Sequence, residues 1–195
     1  LAVSMSLYGL KSMTSERLEV RRLLVSLSRL IQLDRVESSD ENAEEMIWND
    51  EPLTGLGVAN SLYGLKGMST NHWEVRRLVA ALTQRIERSS ESLTPQHIGM
   101  ALSGLKNMSA EHAEVRLLLT QLTQLIKKST KRPLDTHAIA LGLNGLQSLS
   151  TEYAEVRELL AVLTPRITSC NEPFLAVTVA NSFTGFKLFN VYDGV

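Results

Sequence analysis

Two short motifs recur along this chain in step, and their shared period constrains the fold more than any other feature. The first, Leu-x-Gly-Leu, places its glycine at Gly9, Gly64, Gly104 and Gly145, and returns as Phe-x-Gly-Phe around Gly185. These glycines lie 55, 40, 41 and 40 residues apart. The second, Glu-Val-Arg, occupies residues 19–21, 74–76, 114–116 and 155–157, spaced 55, 40 and 41. Two independent markers moving together define a tandem repeat, and the longer first interval marks one insertion.

Each unit reads as two helices. In helix A of the second unit, Val58, Leu62, Leu65 and Met68 form an apolar stripe at i, i+4, i+7 and i+10. The stripe returns as Val3/Leu7/Leu10/Met13, Ile98/Leu102/Leu105/Met108, Ile139/Leu143/Leu146/Leu149 and Val179/Phe183/Phe186/Phe189. Thr54, Thr94 and Asp135 are placed to cap it, and Pro95 suits a first helical position. Helix B carries Val75, Leu78, Val79, Leu82 and Ile86 on one face. Ser69, Ser109 and Ser150 stand ahead of helix B, with Glu111 and Glu152 expected at the positive end of its dipole.

The expected fold is therefore all-α: an α-solenoid of tandem helix–turn–helix repeats of about 40 residues, each burying its faces against its neighbours. The division is a partial first repeat at 1–33, an acidic insertion at 34–53, and repeats at 54–93, 94–134 and 135–174. A partial fifth repeat follows at 175–195. Leu1 falls inside a repeat, so the chain is expected to be a piece of a longer array. Small residues recur within helix A, and a mid-helix glycine costs about 0.8–1.0 kcal/mol relative to alanine. Its return in five units calls for a compensating reason, expected to be close approach of a neighbouring backbone.

A net charge of −1 conceals an uneven distribution. The insertion holds Asp34, Glu37, Asp40, Glu41, Glu44, Glu45, Asp50 and Glu51 against Arg35, and shows no amphipathic period. It reads as a mobile surface loop, the alternative being a short docking motif at Met46, Ile47 and Trp48. Residues 54–133 instead carry eleven basic and five acidic side chains, densest at Lys127, Lys128, Lys131 and Arg132. Two cations are periodic. Lys11, Lys66, Lys106 and Lys187 share a slot near the end of helix A, broken by Gln147, and Arg21, Arg76, Arg116 and Arg157 share one on helix B. The arginines read mainly as partners for a glutamate on an adjacent turn or unit. The lysines read equally as helix-end charges or as a ladder following a phosphate backbone.

Candidate chemistry is sparse. His72 and His112 are 40 apart, as are His97 and His137, so they are copies of two repeat positions and not a converging ligand set. No phosphate loop, nucleophile elbow or paired-carboxylate motif is present. Cys170 has no evident base and reads as a structural thiol. One cysteine fits a reducing, intracellular compartment. No apolar run reaches the ~18 residues needed to span a bilayer, and no catalysis, metal or cofactor is expected.

The run Val58-Ala59-Asn60-Ser61-Leu62-Tyr63-Gly64-Leu65, echoed by Val179-Ala180-Asn181-Ser182-Phe183, resembles the first helix of octotricopeptide repeats and the repeats of RAP-domain proteins. The resemblance covers nearly all the chain outside the insertion. It implies a plastid or mitochondrial RNA binder acting in organellar RNA metabolism, reading one nucleotide per repeat through side chains on the inner helices. The groove positions it implies are Met5/Tyr8, Asn60/Tyr63, Met100/Ser103, Leu141/Asn144 and Asn181/Thr184, with phosphate contacts from the slot lysines and from the cluster Lys127, Lys128, Lys131 and Arg132. Met5, Met100 and Leu141 cannot hydrogen-bond a base edge. The alternative is thus a protein-binding scaffold or a structural subunit of a large assembly, such as a ribosome or photosystem.

Overall fold

The computed structural model describes residues 2–33 and 52–173. Apart from Pro52 and Leu53, the expected insertion lies outside these residues, as does the partial fifth repeat with Asn181, Thr184 and Lys187. Every regular element among the described residues is helical. The short A helices are α1 (Ala2–Tyr8), α3 (Gly55–Tyr63), α5 (Pro95–Ser103) and α7 (Thr136–Gly145). The longer B helices alternate with them as α2 (Leu18–Leu33), α4 (Trp73–Glu87), α6 (Ala113–Lys128) and α8 (Ala154–Thr168).

The A helices start where their caps dictate. Thr54 accepts from the Gly57 amide, Thr94 from the His97 amide, and Asp135 from the Ala138 amide at 2.7 Å. Pro95 takes the first turn of α5, where no backbone donor is needed. Their ends differ from the expectation of one continuous helical stripe. α3 stops at Tyr63 and α5 at Ser103, and the last two stripe residues fall in tight turns beyond. The amides of Leu65 and Met68 bond the carbonyls of Leu62 and Leu65 at 2.8 Å each, three residues back. In the first unit the same segment, Gly9–Ser12, is a 3-10 helix. Val58, Leu62, Leu65 and Met68 are nevertheless all fully buried. In the second and third units the stripe tracks the core while overstating the helix, whereas Met13 of the first unit is 41% exposed and Val3 and Leu143 are only partly buried.

Gly64 and Gly104 consequently sit at helix ends and not in helix interiors, with ordinary φ values of −60° and −64°. What they provide is room. A Cβ on Gly64 would strike the Leu7 carbonyl, one on Gly104 the Leu62 carbonyl, and one on Gly145 the Leu102 carbonyl. Each clash is with the preceding unit in the same register, which is the close approach the recurring glycine called for. Among the described residues, nothing lies within 4 Å of a would-be Cβ on Gly9.

The starts of the B helices also correct the expectation. Ser69, Ser109 and Ser150 each accept from an amide two residues on, at 3.3 Å, in a turn ahead of the helix. The N-cap positions are His72, His112 and Tyr153, which make no side-chain cap bond. The acids in the first turn are Glu74, Glu114 and Glu155 of the Glu-Val-Arg motif, in place of Glu111 and Glu152.

Packing follows the period. α1 packs on α3, α3 on α5 and α5 on α7, while α2 packs on α4, α4 on α6 and α6 on α8. One apolar core runs through all four units, from Leu7 and Leu24 through Leu62, Leu82 and Leu122 to Leu159 and Leu163. Each such leucine contributes about 1.5–3 kcal/mol by leaving water.

His97 completes the Thr94 cap, its Nδ1 accepting from the Thr94 amide at 3.5 Å. Burial lowers its pKa, opposed by the smaller attraction of Glu91. A histidine held neutral in the folded state stabilises fully above its unfolded pKa, near 6.5, and that stability is lost as pH falls through the folded value. A melting series from pH 7.5 to 5 should therefore show a decline that His97→Gln flattens, since glutamine keeps an acceptor without titrating. Parallel slopes for the two proteins would refute this role.

Candidate nucleic-acid or partner interface

The Glu-Val-Arg arginines are occupied. Arg76 Nη1 donates to the carbonyls of Thr70 and Asn71 at 2.7 and 3.1 Å, clamping the turn ahead of its own helix. Its Nε faces Glu114 of the following unit at 3.9 Å. Arg21 and Arg116 repeat the arrangement, bonding Ser15 and Glu16, and Ala110 and Glu111, and facing Glu74 and Glu155 at 3.5 and 3.8 Å. Arg157 clamps Thr151 and Glu152 at 2.7 Å each. The motif is an inter-unit staple, and its guanidinium groups are committed to carbonyls and carboxylates.

The lysine slot is arranged differently. Lys11 Nζ lies 4.2 Å from the centre of the Tyr8 ring and donates to its hydroxyl at 3.1 Å. Lys66 does the same with Tyr63, at 4.5 and 3.2 Å. The two tyrosines stack on each other, ring centres 6.0 Å apart and planes 23° off parallel. The helix spacing that brings adjacent A helices together, about 8–10 Å, thus builds a half-buried cation–aromatic strip at the C-terminal edge of the A helices. Lys106 continues the slot, also half-buried.

Backbone around this strip is tied between units. Asn107 Nδ2 donates to the Lys66 carbonyl at 2.8 Å and Ser148 Oγ to the Lys106 carbonyl at 2.6 Å. The main chain at Lys66 and Lys106 is fixed in this way, while the side chains of the slot stay half-exposed. No family model, curated protein or solved structure matches this chain. What the surface can do therefore rests on its own geometry.

The remaining candidate positions divide. Asn60 is half-buried beside Tyr63, and Met5 is 56% exposed. Ser103 is only 8% exposed, which closes the slot that Tyr8 and Tyr63 leave open. Asn144 is half-buried, and its Oδ1 is enclosed with no hydrogen-bond partner. Lys127, Lys128, Lys131 and Arg132 are all exposed, but they do not join the lysine slot. Lys127 and Lys128 end α6 and Lys131 and Arg132 follow it, where Ser129 Oγ accepts from the Leu93 amide just ahead of α5. Lys106 lies past the other end of α5, a helix of 9 residues, or roughly 13 Å long. The basic residues thus form two sets on opposite edges. Sequence spacing missed this because a hairpin reverses direction between them.

Arg166, not singled out by motif, is buried and reaches back to the carbonyls of Ile126, Ser129 and Thr130 at 2.7, 3.2 and 2.8 Å. Its burial lowers its pKa. Among the described residues, no three His, Cys, Asp or Glu side chains come together as a metal site, and no helix is long and apolar enough to cross a membrane.

Proposed function

We propose that the chain is a stretch of α-solenoid built from helix–turn–helix repeats of about 40 residues, and that it binds single-stranded RNA without catalysis. The octotricopeptide-like reading places it in organellar RNA metabolism, in a plastid or mitochondrion. The observation that carries RNA binding is the strip of Tyr8, Tyr63, Lys11, Lys66 and Lys106, in which two rings stack on each other and each holds a lysine over its face. Aromatic surfaces take bases and ammonium groups take phosphates, with little demand for sequence. The arginines, held in staples, are excluded from that role.

The test is retention of a single-stranded RNA across a salt series. Each phosphate neutralised on a single strand adds about 0.7 to the slope of log K against log salt. Replacing Lys11, Lys66 and Lys106 by glutamine is expected to lower that slope by about 2. Replacing Lys127 and Lys128 leaves it unchanged if the strip is the interface. The reverse result moves the interface to the other edge, and failure to retain RNA at low salt ends the proposal. A second reading, a scaffold for protein partners, draws support from exposed Met5 and from the closed slot at Ser103. A nuclease-resistant protein capture from organelle extract would favour it.

A further inference from the structure

The first unit carries a set of residues that the other units use only against a preceding neighbour. On α2, Glu19, Leu23, Ser26 and Leu30 lie at i, i+4, i+7 and i+11, a single stripe. The equivalent stripes are 74/78/81/85, 114/118/121/125 and 155/159/162/166. Two of these slots demonstrably face backwards: Glu74, Glu114 and Glu155 meet the arginine of the unit before, and Arg166 bonds that unit's carbonyls. The slot between them holds Leu78, Leu118 and Leu159, all fully buried. In the first unit the same stripe is open, with Leu23 42% and Leu30 55% exposed and Glu19 exposed beside them. Gly9 completes the set. It keeps the space that Gly64, Gly104 and Gly145 reserve for the preceding unit's leucine carbonyl, yet none of the described residues fills it.

We propose that this face is an interaction surface for one further unit of the same repeat, seated ahead of α1 and α2 in the register the other three junctions share. The partner's chemistry is defined by those junctions. Its A helix presents a leucine carbonyl to Gly9, its B helix an apolar face to Leu23 and its C-terminal end to Leu30, and its Glu-Val-Arg arginine a guanidinium to Glu19. The inference rests on the stacked-repeat reading and is independent of RNA binding.

The experiment compares the 195-residue chain with a version carrying a copy of residues 94–136 directly ahead of residue 1. That fusion keeps the register, because positions 1 and 137 stand equally far before Gly9 and Gly145. In the unfused chain, Leu23→Glu with Leu30→Glu and, separately, Gly9→Ala should move the melting temperature by no more than about 2 °C, as surface changes do. In the fused chain both should lower it by roughly 5–10 °C, through a buried charge and a backbone clash. Equal shifts in the two chains, or an added unit that stays protease-sensitive, would overturn the proposal. So would concentration-dependent self-association of the unfused chain that the Leu23 and Leu30 changes abolish, which would assign the face to a second copy. If Gly104→Ala also proves harmless, the stacked-repeat reading itself has failed.

Discussion

Gly104→Ala is expected to destabilise the chain by about 3 kcal/mol, although in an exposed helix the same change stabilises by about 1. The reversal comes from the Leu62 carbonyl, which occupies the space an alanine methyl group needs. That obstacle is backbone of the preceding unit, so relief requires the two A helices to move apart and loosens the core beneath them. In a chain of this size the melting temperature should fall by roughly 6–12 °C. Gly145→Ala should behave alike, against the Leu102 carbonyl. Gly9→Ala is the internal control, since its slot is identical and its space is empty. Equal effects at Gly9 and Gly104 would mean that the glycines are not there for the junction.

The second large effect is expected at Arg116. Its guanidinium makes two bonds of 2.8 Å to the Ala110 and Glu111 carbonyls, faces Glu155 at 3.8 Å, and lies 5.5 Å from the Tyr153 ring centre. Bonds from a charged donor stabilise by about 1.5–3 kcal/mol each, while a part-exposed ion pair adds under about 1. Arg116→Met should therefore cost about 2–3 kcal/mol after discounting for exposure, and Glu155→Gln under about 1. Arg116→Lys should rescue little, because one ammonium cannot span two carbonyls and a carboxylate. Chemical denaturation of the two single variants and the double variant gives the coupling directly. A coupling energy as large as the whole Arg116 effect would put the stability in the ion pair and not in the clamped turn.

These two expectations show how far the residues alone carry the fold. The period, the caps at Thr54, Thr94 and Asp135, and the need for close approach at the glycines are local or periodic properties, and they are legible in the order of residues. The end of helix A is not, because Leu65 and Met68 remain buried whether the backbone continues as α-helix or tightens into turns. The staples are half-legible. Periodic Glu and Arg two residues apart announce a pairing, but only packing shows that Arg21, Arg76 and Arg116 each reach forward to the next unit. The candidate interface is less legible still. Tyr8 and Tyr63 stand 55 positions apart and stack only because adjacent A helices align. Ser103 belongs to the same slot yet is closed by its neighbours. Lys106 and Lys127 look like members of one basic region until the hairpin turns them to opposite edges.

The staple has a consequence for how such a chain changes over generations. The glutamates of α4, α6 and α8 face back, and the arginines of α2, α4 and α6, on the same turn of their helices, face forward. Each of the three junctions among the described residues therefore joins the same plug to the same socket, always in one direction along the chain. A whole unit inserted, lost or exchanged in frame meets matching partners on both sides, so length can vary without new contacts having to arise together. Inverting a unit, or shifting the frame of an exchange by a few residues, breaks both junctions at once.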